Sequence, residues 1–496
     1  MQPVRDKIQE VKTYITGENV RYTLFYAVSG IFILLNAYMV YRDLYYSLLL
    51  PFVLVILYLF FYRIDIILFI ITFFTPLAVN ITQFEFNVGM SIPTEPLMVG
   101  ILLIFILKLF YENNFDSKVW AHPMTIIIAF QFLWILITTI TSQLPLVSLK
   151  FMIARSWFVV PFYIFAIHLF KNRKNIRLFM WLYGIPLVGV IIYTTYQHSL
   201  WAFEENAGHW VMTPFYNDHT AYGAILAMYI PVFTAFTFSR SYSRLSRLCA
   251  LAVLAFLLVG LYLSYCRAAW ISLVVALVFY LIIVFRIKFK YIVVTLLIGG
   301  LIFYVFQFEI LDSLSKNKQG TSANFMEHVQ SISNITTDAS NLERLNRWAS
   351  AIRMFKDRPV FGYGPGTYQF EYAPYQSSEE ETVISTNAGD RGNAHSEYIG
   401  PLSEQGLPGM LLVILVFVYS LVVAMRVYRR SDNKEVRMLT IATMLGLITY
   451  YFHGLMNNFM DSDKASVPVW GFIAILVAFD LFYLPEKSKP GITGSF

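Results

Sequence analysis

Residues 395–418 read His395-Ser396-Glu397-Tyr398-Ile399-Gly400-Pro401-Leu402-Ser403-Glu404-Gln405-Gly406-Leu407-Pro408-Gly409-Met410-Leu411-Leu412-Val413-Ile414-Leu415-Val416-Phe417-Val418. A polar head passes through two glycines into an unbroken apolar run. That junction is what a chain looks like where it enters a bilayer. Upstream the polarity persists back to Arg344. Residues 344–409 form an island with Arg344, Arg347, Trp348 and the turn Gly362-Tyr363-Gly364-Pro365-Gly366. Spanning a membrane does not require such an island, so it is where chemistry is sought.

The rest of the chain sets the class. Of 496 residues, 57% are hydrophobic and 14% charged, against about 25% charged in a soluble domain. The chain reads as an all-α polytopic membrane protein. A helix needs roughly 20 apolar residues to cross the hydrocarbon core. Fourteen candidate spans fit, at about 22–41, 44–62, 64–80, 95–111, 122–140, 149–169, 176–196, 219–238, 248–264, 268–285, 291–308, 402–425, 437–456 and 466–484. Allowing for half-spans, the expectation is 12–14 transmembrane helices and one large external segment with short helices. The divisions are 1–308 (an N-terminal bundle), 309–400 (the external segment) and 401–496 (the C-terminal helices). The first apolar segment follows Arg5, Lys7 and Lys12 and reads as an anchor, not a cleaved leader.

Lysine and arginine placement orients the bundle. With the N-terminus in the cytoplasm, cytoplasmic segments hold 24 of the 37 Lys/Arg residues and short external loops hold 5. The remaining 8 lie in 309–400. Both termini are then cytoplasmic and the long segment is external, in the periplasm of a cell with an outer membrane. The net charge of +6 is spent on this orientation and does not point to nucleic acid. Two cysteines, Cys249 and Cys266, support neither a disulfide framework nor a zinc site.

Within the external segment, Leu342, Leu345, Trp348, Ile352 and Phe355 recur at helical spacing. This predicts a helix over 341–356 with Asn341 as N-cap and Pro359 beyond its end. Residues 371–392 are acidic and polar, as a mobile lid would be. The glycine turn 362–366 reads either as a tight turn or as backbone N–H groups offered to an anion; without a preceding strand or a following Gly-Lys-Ser/Thr it is not a nucleotide loop. No internal repeat is visible, which weighs against an inverted-repeat transporter.

The external charges carry the site. Arg267 and Arg155 can be read as snorkelling arginines or as an anion site, since guanidinium matches phosphate oxygens bidentately. His395, next to a span, has an ordinary pKa near neutral that suits a general base, and Glu397 is a candidate to orient it. Asp461-Ser462-Asp463 reads as a salt-bridged loop more readily than as a metal site. Asn217-Asp218-His219 reads as a helix cap or a wall of the substrate site.

These pieces together resemble the O-antigen ligase and polymerase superfamily of membrane glycosyltransferases. The matching stretches are Ser264-Tyr265-Cys266-Arg267-Ala268-Ala269-Trp270, Arg344-Leu345-Asn346-Arg347-Trp348, Asp357-Arg358-Pro359-Val360-Phe361-Gly362-Tyr363-Gly364-Pro365-Gly366 and His395 to Gly409. The ligase pattern is a histidine and a small polar residue, nine residues, then Gly-x-x-Gly. It reads here as His395-Ser396, Glu397 to Gln405, and Gly406-Leu407-Pro408-Gly409. Met410 follows where the pattern has a small or aromatic residue, and Cys266 stands where serine usually precedes the arginine.

The resemblance implies an enzyme of the bacterial inner membrane with a periplasmic active site. Its donor is a glycan on undecaprenyl pyrophosphate, its acceptor the lipid A core, and it needs neither metal nor other cofactor. By the same resemblance His395 is the essential histidine, and Arg267 and Arg344 bind pyrophosphate. Arg347 competes with Arg344 for that role. Arg155, His219, Glu397 and Asp461 are further candidate substrate contacts. A polymerase or a protein O-oligosaccharyltransferase of the same superfamily is the alternative, and a lipid-linked glycan flippase is the reading from another class.

Overall fold

The computed structural model describes residues 18–80, 89–111, 116–288, 339–378 and 392–484. Two compact units divide the chain, Met1–Ile67 and Leu68–Phe496. The first holds α1 (Glu18–Tyr41), α2 (Leu50–Tyr62) and the start of α3 (Ile64–Phe74). Between α2 and α3, Arg63 grips both carboxylate oxygens of Asp65 at 3.0 and 2.9 Å. The expected spans at 44–62 and 64–80 are therefore shorter apolar helices. The first is broken by a 3-10 turn at Tyr45–Leu49 with Pro51 behind it, and the second stops at Pro76.

The second unit is a bundle. Its helices are α4 (Thr94–Tyr111), α5 (Pro123–Ile140), α6 (Pro145–Val159, continued through a π-turn to Leu169), α7 (Arg173–Ser199), α8 (His219–Phe238), α9 (Arg244–Leu263), α10 (Arg267–Val284), α11 (Ala339–Asp357), α12 (Ile399–Arg430), α13 (Lys434–His453) and α14 (Asp463–Phe482). A two-residue hairpin, β1 (Val79–Asn80) against β2 (Ser91–Ile92), pairs Val79 with Ile92 and Asn80 with Ser91. Among the described residues nine helices are long and apolar enough to cross a membrane, and the chain is an all-α polytopic membrane protein. The span expected at 291–308 and the acidic stretch 379–391 lie outside the described residues.

Side-chain chemistry explains the helix ends. Asp218 caps α8 by accepting from the N–H groups of Thr220 and Ala221 at 2.7 and 2.9 Å, and Asn433 caps α13 in the same way. α14 runs through the centre, with nearly every side chain from Asp463 to Phe479 buried. α8 packs on α9 and α13, α10 on α13, and α12 on α5 and α11. At one end of the bundle Asp480 holds His122 at 3.1 Å and Arg426 at 2.8 Å. The opposite end gathers the starts of α8, α10, α12 and α14 and the close of α13.

α11 begins at Ala339, so Asn341 lies inside the helix and is not its cap. It ends at Asp357, as Pro359 demands. The glycine turn that follows is a dock. α12 kinks at Gly406 (φ +69°), and the freed backbone of the kink meets the turn. Leu407 donates to Pro359 O at 3.0 Å, Tyr363 to Ser403 O at 3.2 Å and Gly364 to Glu404 O at 2.8 Å. The Glu404 carboxyl group accepts from the Tyr368 N–H at 3.0 Å. The turn does receive an acidic side chain, then, but it is the chain's own. From the other side Gln143 N–H and the Ser148 hydroxyl bond Tyr363 O and Pro365 O at 3.0 and 2.9 Å.

A Cβ on Gly362 would stand 2.3 Å from Glu404 C, and one on Gly406 2.1 Å from Val360 O, both at positive φ. Gly362→Ala and Gly406→Ala should each cost about 1–3 kcal/mol for overpacking plus about 1–2 kcal/mol for the left-handed backbone. Gly189→Ala, in α7 with nothing within 4 Å of its Cβ, should be neutral or mildly stabilising. Thermal melting of the purified protein in detergent checks this; similar melting temperatures for all three variants would refute the docking account.

Candidate functional site

His395 sits between the external segment and α12. Its backbone is left-handed, φ +46°, a conformation that costs a non-glycine residue energy and persists only when its surroundings impose it. They do so on both sides. The His395 N–H donates to Asn393 Oδ1 at 3.0 Å. On the other side Ser396 Oγ takes the N–H groups of Tyr398 and Ile399, each at 3.3 Å, where α12 begins. The Glu397 N–H then bonds Gly454 O at 2.8 Å. Tyr265, two residues before Arg267, is likewise left-handed at φ +49°.

Glu397 does not orient His395. Its Oε1 accepts from Tyr450 OH at 2.6 Å and from the N–H groups of Phe459 and Met460 at 2.8 and 3.0 Å. It fastens the start of α12 to the loop between α13 and α14. Arg155 serves the same loop: it donates to Met460 O at 3.1 Å, lies 3.8 Å from Asp461 and packs over Phe151. Arg155 and Asp461 are thus partners of each other, as a salt-bridged loop predicts. No group of three or more His, Cys, Asp or Glu suited to a metal occurs among the described residues.

The two arginines of α11 differ. Arg347 is buried and bonds Glu343 at 2.7 Å and Asn393 O at 3.2 Å, with its guanidinium over Tyr372. Arg344 is half-buried, and its charge reaches His395, His219 and Cys266. Arg267 also acts on His219. The 264–270 turn and the polar island, about eighty residues apart in the chain, therefore meet at one place.

Burial and the positive charges of Arg347 and Arg344 push the His395 imidazole down to about 4, against the pull of Asp218 and Glu343. The neutral pKa expected for a free histidine is not retained, and the ring is uncharged over the whole neutral range. Burial pushes the Cys266 thiol up to about 12, so it is no nucleophile.

Sequence reasoning did not single out three neighbours. His209 stacks on His219 with ring centres 4.3 Å apart. His453, at the close of α13, has its Nε2 3.1 Å from Asn457 Nδ2 and feels Asp218 and Arg344. Asn393 holds His395 and Arg347 at once. A histidine near the polar 204–219 loop was a visible signal for His209. An isolated histidine in an apolar helix, like His453, gave none.

An uncharacterized protein of Haemophilus influenzae is 20% identical over 124 residues, which make up 25% of this chain and 30% of that protein. The chain thus covers under a third of that curated relative. The family model described as O-antigen ligase matches residues 251–414, from α9 through the Arg267 turn, α11, the glycine dock and His395 into α12. Over that stretch, about a third of the chain, the protein is similar to the O-antigen ligase family.

Proposed function

We propose that the protein is an outer-leaflet glycosyltransferase. It moves a glycan from undecaprenyl pyrophosphate to a sugar hydroxyl of the lipid A core, on the periplasmic face of the inner membrane. The observation that carries this reading is the meeting of Arg344, the Arg267 turn and an uncharged histidine at one end of a membrane bundle. The opposite end carries the arginines of α7 and α12, including Arg426, in keeping with a cytoplasmic face.

His395 accepts the proton of the acceptor hydroxyl as its oxygen attacks the anomeric carbon. The bond from that carbon to the pyrophosphate oxygen breaks, and the lipid pyrophosphate leaves with the electron pair. Negative charge grows on the leaving group, and Arg344 and Arg267 stabilise it where it forms. A single displacement with one base inverts the anomeric centre. The donor is already activated, so the step needs no metal. A pKa near 4 makes His395 a weak base in the empty site. A bound pyrophosphate changes that: its charge offsets Arg344 and Arg347 and raises the affinity of the imidazole for a proton. The donor thereby readies the base for its own reaction. A polymerase would use the same groups with a growing glycan as acceptor.

His395→Ala should lower transfer by about 10²–10⁴-fold at normal protein level. For the wild type, kcat/KM reports the free enzyme and should fall only as pH drops toward 4, where the base becomes protonated. The acid limb of kcat, which reports the donor complex, should lie at higher pH. Rate profiles with purified lipid-linked donor measure both; a kcat limb at or below that of kcat/KM would remove the coupling between donor and base.

Arg344→Ala should lose more transfer than Arg344→Lys, which keeps the charge but not the bidentate geometry, and neither should shift the melting temperature much. Arg347→Ala breaks a buried pair and should cost about 3–5 kcal/mol of stability, seen as a lower melting temperature. The reverse pattern would exchange the two roles. Chelation with EDTA should leave turnover unchanged; loss of turnover that added divalent cation restores would overturn the metal-free step.

A further inference from the structure

Residues 359–361 fall within the segment 309–400 that hydropathy sets outside the membrane, but they sit beside a spanning helix. α5 crosses from Pro123 to Ile140, and the glycine turn meets it at two levels. Gln143, just past the end of α5, donates its N–H to Tyr363 O at 3.0 Å. Phe361, two residues before Tyr363, stacks on Trp134 with ring centres 5.7 Å apart and 14° between the planes. Trp134 lies six residues inside that end of α5, about 9 Å along the axis at 1.5 Å per residue. Helical side chains lean toward the N-terminus, here away from Ile140, which takes the stack deeper still. The indole Nε1 also donates to Gln405 O at 2.9 Å, at the kink of α12, a second spanning helix. The tip of the turn is therefore held against α5 and α12 below the level at which α5 ends.

What this tip turns outward is apolar. Val360 is 50% and Phe361 44% exposed, and Leu407, against which they dock, is 43% exposed. Leu407, Leu411 and Leu415 recur every four residues on α12, and Leu133, Leu136 and Ile140 at steps of three and four on α5, all of them exposed. Those spacings line one face of each helix, so the tip continues the lipid-facing sides of two spans. The nearest charge in sequence, Arg358, is folded back with its guanidinium 4.8 Å from the centre of the Tyr363 ring. The backbone suits a medium without water. Pro359 has no N–H, its carbonyl takes the Leu407 N–H at 3.0 Å, and the Gly362 N–H closes on Arg358 O at 3.1 Å. Trp134 takes the rim position at which indoles gather in membrane proteins.

We infer that Val360 and Phe361 form a wedge immersed in the acyl chains of the leaflet on the His395 side. A contiguous apolar patch marks a surface that takes an apolar partner, and the two spans that border this one already face lipid. The dock between α11 and α12 is thus anchored in the bilayer, and lipid bears on the joint that sets Arg344 against His395. This follows from the fold alone, whatever reaction the protein performs.

Fluorescence quenching on the full-length protein in nanodiscs of phosphatidylethanolamine and phosphatidylglycerol tests it. A bimane label is attached at Phe361→Cys in a chain that also carries Cys249→Ala and Cys266→Ala. Reference labels are Leu411→Cys, on the lipid face of α12, and Asn206→Cys, on the exposed loop between α7 and α8. Lipid carrying a nitroxide high on the acyl chain should quench the label at 361 to the extent seen at 411. Aqueous iodide should quench it several-fold less than the label at 206. Iodide quenching equal to that at 206 would put the tip in water and overturn the proposal. Quenching by neither agent would show protein covering the tip, either a second copy of the chain or residues 291–308, and would overturn it equally. Should Phe361→Cys lower the melting temperature by loosening the Trp134 stack, Val360→Cys carries the same measurement with the same expected outcomes.

Discussion

The interlock of the 359–366 turn with the kink at Gly406 is the constraint from which the site follows. A helix that bends at a non-helical residue leaves backbone groups without their usual partners, and within a bundle those groups must be paired. Here Ser403 and Glu404 give their carbonyls to Tyr363 and Gly364, and Leu407 gives its N–H to Pro359. Both backbones can approach this closely only because Gly362 and Gly406 carry no Cβ. The two glycine motifs, forty residues apart, are therefore halves of one joint. It sets α11 against α12, and with them Arg344 against His395.

A second set of bonds fixes the far side of His395. Glu397 accepts three hydrogen bonds from Tyr450, Phe459 and Met460, and Arg155 holds the same loop through Met460 O. Both charged side chains, Glu397 and Arg155, thus have partners within the protein. The histidine is left as the strained residue between two rigid attachments. Arg347 is likewise held, paired with Glu343, packed over Tyr372 and tied to Asn393 O, while its charge biases the imidazole.

Much of the fold was legible in the sequence because membrane spans announce themselves. Long apolar runs and the Lys/Arg bias carried the bundle, and the helix at 339–357 showed in its 3.6-residue spacing. The misses have physical causes. A two-residue ion pair at Arg63 and Asp65 and a proline at 76 shorten helices that hydropathy alone makes whole. Within the site, the types Arg, His and Glu were visible, but the partners that each takes were not. Arg344 and Arg347 differ by what folds over them, Tyr372 and Asn393, and neither neighbour can be read from local sequence. The same holds for Glu397, whose partners lie more than fifty residues downstream.

Arg347, Arg344, Asp218 and Glu343 all act on the His395 imidazole, and Asp218 also lines a cavity with Asn393, Asp461, Asp463 and Glu95. Asp218 is the hinge of that arrangement. It caps α8 and yet its charge reaches both His395 and His453, so the helix cap also opposes the two arginines acting on the His395 imidazole.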